Sequence, residues 1–116
     1  MSTTQRFEGI LDRDMMEQER VVIIGVGAVG NNLTNIIAGM KPGHLTLIDP
    51  DRVDEENVGP QGFAPHNIGE YKIDVAEHRE YQRMGDKDNI VVIPNRAPHD
   101  SNSQRRLREA TCVFMC

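Results

Sequence analysis

Cysteine is scarce in this chain, positive charge is in the minority, and no long apolar run occurs. The two cysteines among 116 residues both lie in the terminal stretch TCVFMC. If that stretch is a strand, Cys112 and Cys116 have α-carbons about 13 Å apart at roughly 3.3 Å of rise per residue. That is far beyond the ~7 Å that a disulfide tolerates. No second cysteine pair or close histidine pair accompanies them, so no zinc site is expected and both read as buried apolar residues. No apolar run approaches the roughly 20 residues of a membrane span. No secretory signal opens the chain either, and a cytoplasmic location is expected. Lys and Arg number 13 against 18 Asp and Glu, a formal charge of -5. That sign argues against broad binding to the nucleic-acid backbone. Repeats and low-complexity tracts are missing too. What remains is the length of about one globular domain, 38% hydrophobic and 27% charged, which is ordinary for that class.

The pattern along the chain alternates. Residues 1–19 read as an N-terminal helical segment: STTQ has capping-box spacing, and Phe7, Ile10, Leu11 and Met15 recur at helical intervals. From residue 20 the β-branched run RVVIIG suits a strand covered on both faces. Val29, Leu33, Ile36, Ile37 and Met40 follow a 3.6-residue period, predicting a helix from about Ala28 that stops at KPGH. HLTLID, from His44 to Asp49, is a second strand, and Pro50 to Asn67 a long loop of the kind that carries function. A helix with a polar solvent face is expected between Ile68 and Met84. NIVVIP gives a third strand, QRRLREA a short basic helix capped by Ser101 or Ser103, and TCVFMC a fourth strand.

Strands alternating with helices imply an α/β fold with a parallel sheet and right-handed crossovers. The expected strand order is 3-2-1-4, the first half of a Rossmann-like domain over residues 20–116, with a ligand at the switch point beside the first strand. The fourth strand would present an apolar edge, which proteins pair or cover. The expectation is that this sequence is the first part of a larger domain.

Gly25, Gly27 and Gly30 match G-x-G-x-x-G between a predicted strand and a predicted helix, the context that gives the motif meaning. The spacing provides a tight turn, close approach of backbone to a phosphate, and close helix–strand packing. The helix N-terminus adds unpaired N–H donors and partial positive charge. Asp49, 19 residues beyond Gly30, stands where a carboxylate can accept bonds from ribose hydroxyls while repelling a 2′-phosphate. To this point NAD and ATP fit equally.

The stretch LIDPDRVDEENVGPQGF resembles the ThiF/MoeB and ubiquitin-activating-enzyme family of adenylyltransferases, in which D-x-D-x-V-x-x-x-N-x-x-R-Q follows the second strand. Asp49, Asp51, Val53, Asn57 and Gln61 fall on that pattern. NIGEYKIDVA resembles the family's G-x-x-K-A segment through Gly69 and Lys72. The resemblance implies binding of ATP with Mg²⁺. It also implies attack on the α-phosphate by the C-terminal carboxylate of a small ubiquitin-like or sulfur-carrier protein, giving an acyl-adenylate. Such a step needs neutralisation of phosphate charge more than a general base. Lys72 would supply a compact cation. Asn57 and Gln61 would supply amide donors, Asp49 would hold the ribose, and Asp51 would serve the nucleotide or its ion. A homodimer is implied as well.

The sequence also departs from the family. Pro60 stands where the family places an arginine that meets the triphosphate, and proline offers neither charge nor donor. Arg52, Arg6 or Arg13 are the candidates to replace it. The family's Mg²⁺-binding aspartate would follow Cys116. Two other readings compete. An NAD-dependent oxidoreductase explains the glycines and Asp49 but not Asn57 to Lys72. A non-catalytic relative acting as a binding or dimerisation module accommodates Pro60.

Overall fold

The computed structural model describes residues 13–59, 62–81, 83–85, 89–96 and 101–116. Helix α1, Arg13–Gln18, leads into strand β1, Arg20–Ile24. Helix α2 spans Ala28–Gly39 and strand β2 His44–Ile48. Helix α3 is Lys72–Glu80, strand β3 Ile90–Ile93, helix α4 Ser101–Glu109 and strand β4 Cys112–Met115. The capping motif and most of the periodic residues expected of the N-terminal helix lie outside the described residues.

The four strands form one parallel sheet in the order β3-β2-β1-β4, as the alternating pattern predicts. Because side chains alternate across a strand, Val21 and Ile23 of β1 and Leu45 and Leu47 of β2 face one side. There they meet Ile37 and Ala38 of α2 and Ile73 and Ala76 of α3. Val22, Ile48 and Ile93 face the other side, with Leu107 of α4 against them. The continuous β-branched run therefore reflects burial on both faces. Helix α2 stops where Lys41 takes a left-handed conformation (φ 55°) and Pro42 follows.

Three expectations need correction, the first being burial of both cysteines: Cys112 is only partly buried and Cys116 is exposed. The helix predicted from Ile68 begins only at Lys72. The reason is a short antiparallel ladder: Val53 N–H donates to the Glu70 carbonyl (2.8 Å), Gly69 N–H to Val53 (2.9 Å) and Lys72 N–H to Asp51 (3.1 Å). The chain from Gly69 to Tyr71 is thus tied to the chain leaving β2, with Tyr71 bridged to Arg52, and Ile68 stays 46% exposed. Ser103, expected as a possible cap of the basic helix, is a fully buried residue inside it. The long loop is also more ordered than its composition suggests. It contains 3-10 turns at Glu55–Asn57 and Pro65–Asn67, the first closed by Asp54 and Asn57 acting on each other's backbone.

Candidate functional site: the glycine turn and its cleft

The turn between β1 and α2 depends on close approach. Gly25 has φ +93°, a conformation L side chains rarely adopt, and a β-carbon there would lie 2.5 Å from the Cys116 carbonyl oxygen. A β-carbon on Gly30 would lie 2.1 Å from the Gly25 carbonyl oxygen, so α2 can sit this low on the sheet only with glycine at that position. The turn is clamped from both neighbouring strands, by Gly25 N–H donating to Ile48 (2.9 Å) and Cys116 N–H donating to Ile24 (2.8 Å). Gly27 caps α2 without any side-chain hydrogen bond, and no acidic residue lies in the first turn. No side chain of α2 itself therefore occupies these amides, and a helix N-terminus of this kind favours an anion.

Asp49 is 5% exposed and bound to this turn. Its Oδ2 accepts the Val26 N–H at 2.7 Å and its Oδ1 the Asp51 N–H at 2.8 Å. An ionised carboxylate has about four acceptor sites, so each oxygen keeps one for a ligand. The sequence pointed to Asp49 as a ribose acceptor; the structure adds that the same group fixes the backbone of the glycine turn. Beside it opens a cleft of about 360 Å³, lined by Ile24, Gly25, Ile48, Asp49, Pro50, Asn95 and Arg96. That is within the ordinary size range of small-molecule sites.

Asn95 and Arg96 did not emerge from the sequence. They follow β3, and only the strand order, which puts β3 beside β2, brings them to the cleft. Asp51 is exposed and offers its carbonyl to Lys72 N–H. Lys72 is 8% exposed at the first position of α3 and is not among the residues lining the cleft. Asn57 is 7% exposed, and its Oδ1 accepts the Asp54 N–H at 2.9 Å. Its carbonyl half thus shapes the loop and its amide nitrogen is the half with donors to give. Gln61 and Pro60 lie outside the described residues.

Arg52, one of the candidates to replace the arginine that Pro60 displaces, is engaged with Tyr71 and Gly69. Its guanidinium stacks 4.1 Å from the centre of the Tyr71 ring, and its Nη1 donates to the Gly69 carbonyl at 2.8 Å. Arg52 and Tyr71 border a second cavity of about 610 Å³, with Asp74, Val75 and His78 of α3 and His66. This cavity is the larger, but it meets neither the glycine turn nor Asp49, and the anion-binding features lie at the smaller one. Among the residues lining the smaller cleft, Arg96 is the cation. Among the described residues, no group of three His, Cys, Asp or Glu side chains is placed to hold a metal ion.

The chain resembles known proteins in sequence and in fold. Over 75 residues the chain is 35% identical to DNA damage tolerance protein RHC31 of Saccharomyces cerevisiae, covering 64% of this chain and 22% of that protein. Over 69 residues it is 33% identical to ubiquitin-like modifier-activating enzyme 5 of Gallus gallus, covering 60% and 17% respectively. In structure it is similar to the E. coli tRNA N6-threonylcarbamoyladenosine dehydratase TcdA in complex with AMP. That match has a TM-score of 0.81 and 25% identity, over 97% of this chain and 46% of that one. The chain thus spans less than half the length of each. The ThiF family model matches residues 3–116, and the chain belongs to the ThiF family.

Proposed function

We propose that this chain is the nucleotide-holding part of an adenylyltransferase that activates the C-terminal carboxylate of a ubiquitin-like or sulfur-carrier protein. The observation that carries the reading is the buried Asp49, joined to the glycine turn through Val26 and bordering the cleft beside it. In this reaction class the carrier's carboxylate displaces pyrophosphate from the α-phosphate of ATP.

The chain's own groups divide the work. Asp49 accepts from the ribose while holding the turn. The amides at the start of α2, with Gly27 giving access, meet the phosphates. Arg96 and Asn95 border the base end, because they lie on the β3 side of Asp49 and away from the helix N-terminus. Lys72 offsets charge that grows on the phosphates. Asn57 and Gln61 add amide donors from the loop. Mg²⁺ would be held mainly by the phosphates, with the exposed Asp51 as a candidate carboxylate; such sites ordinarily use one or two carboxylates. A cytoplasmic homodimer, with Arg6 or Arg13 offered to the triphosphate across the interface, belongs to the same proposal.

Titration calorimetry tests it. ATP and AMP are expected to bind and NAD to bind much more weakly. Tight NAD binding with no heat from either adenine mononucleotide would end the reading.

A further inference from the structure

The sequence predicts that helix α3 turns its polar residues to solvent, yet its last residue, Glu80, is fully buried. Burying a carboxylate is costly unless it is paired. Glu80 is paired twice: its Oε1 lies 2.5 Å from Arg79 Nε and its Oε2 3.6 Å from Arg83 Nε. Each arginine then reaches across to α2. Arg79 Nη2 donates to the Asn31 carbonyl at 3.2 Å, and Arg83 Nη1 donates to Asn35 Oδ1 at 2.8 Å. Asn31 and Asn35 are one turn apart on α2, whereas Arg79 lies within α3 and Arg83 in the turn that follows it, so the end of α3 is joined to α2 at two points.

Asn31 is itself buried, 2% exposed, and its side chain meets the long loop. A β-carbon placed on Gly62 would lie 2.7 Å from Asn31 Nδ2, and Gly62 has φ +82°. The seat therefore takes glycine. Around it the loop closes on itself, with Gly62 N–H donating to Gly59 and Gly59 N–H to Phe63, both at 3.1 Å. Phe63, 3% exposed, anchors this limb in the core.

We propose that Glu80 is a positioning residue for this limb of the loop. Its carboxylate aligns Arg79 and Arg83, the arginines fix the Asn31 turn of α2, and Asn31 seats Gly62. The helix that begins with Lys72, the helix that follows the glycine turn and the Gly62 limb of the loop are registered on one buried carboxylate. The effect on nucleotide binding rests on the function proposed above; the effect on the loop does not.

Native-state hydrogen exchange on the full chain reads the loop directly. In Glu80→Gln, the Gly59 and Gly62 amides are expected to exchange at least about tenfold faster, with the strand amides of Val22 and Leu47 changing much less. Unchanged loop exchange, or equal acceleration of loop and strands as from global destabilisation, would overturn the proposal. Arg79→Lys keeps the charge beside Glu80 but removes the Nη2 donor to Asn31, so it serves even if Glu80→Gln fails to fold. The same local acceleration is expected there, and its absence would also overturn the proposal. In calorimetry, Glu80→Gln is expected to weaken ATP roughly tenfold and AMP less than about twofold, because the loop's amides address the outer phosphates. Equal losses for both would count against positioning. If the wild-type chain takes up neither nucleotide, the function proposed above fails and the exchange result alone decides the role of Glu80.

Discussion

Asp49→Ala is expected to weaken AMP and ATP by at least about 100-fold, since bonds to a charged acceptor are worth about 1.5–3 kcal/mol each. It is also expected to cost about 2–5 kcal/mol of stability, because two backbone donors lose their partners. The Val26 N–H donates to Asp49 Oδ2 in a buried bond, and the Asp51 N–H donates to Oδ1 in a partly buried one. Calorimetry and urea unfolding read the two effects separately. Asp49→Asn helps divide them, since its single carbonyl oxygen can keep one clasp while the NH₂ cannot accept. An Asp49→Ala chain that is destabilised yet binds AMP as tightly as wild type would show that the carboxylate only clasps the turn.

Gly30→Ala is expected to be the most damaging change to the fold. The added β-carbon would sit 2.1 Å from the Gly25 carbonyl oxygen and 3.4 Å from the Cys116 β-carbon. That carbonyl cannot swing aside, because the adjoining backbone is fixed to Ile48, Cys116 and Asp49. Helix α2 must lift from the sheet, which also moves its amides away from the cleft. Overpacking of this kind costs about 1–3 kcal/mol, and backbone on both sides of the contact puts this case at about 3 kcal/mol or more. For a domain of this size the melting temperature is expected to fall by roughly 10–20 °C. Gly39→Ala, in the same helix, is the control. The nearest atom to a β-carbon there is Arg83 Nη1 at 3.9 Å, so the change is expected to be neutral or to stabilise by roughly 0.5–1 kcal/mol. Equal melting temperatures for the two variants would contradict this account of the turn.

Much of the fold was legible because its signals are local. The run from Arg20 to Gly25 announces a strand buried on both faces. The period from Val29 to Met40 announces a helix, and alternation of the two announces a parallel sheet. Gly25, Gly30 and Asp49 could be chosen from spacing because close backbone approach leaves few residue types open. What could not be read depends on contacts distant in sequence. The ladder that delays α3 to Lys72 joins Asp51 and Val53 to residues nearly twenty positions on. Glu80 looks like one more solvated acid on a polar helix, and its burial beside arginines that reach Asn31 and Asn35 appears only once α3 is placed against α2. Arg96 follows a strand with no periodicity to mark it. A reader holding the 3-2-1-4 order could have found it by asking which residues end the strand next to β2.

The cleft at Asp49 and the larger cavity at Tyr71 make different claims on the ligand, and amide NMR can separate them. In a ¹⁵N-labelled chain titrated with AMP, the largest shifts are expected at Gly25, Val26, Asp49, Asn95 and Arg96. Shifts confined to Tyr71, Asp74 and His78, or none at high AMP, would contradict the placement of the nucleotide at the glycine turn.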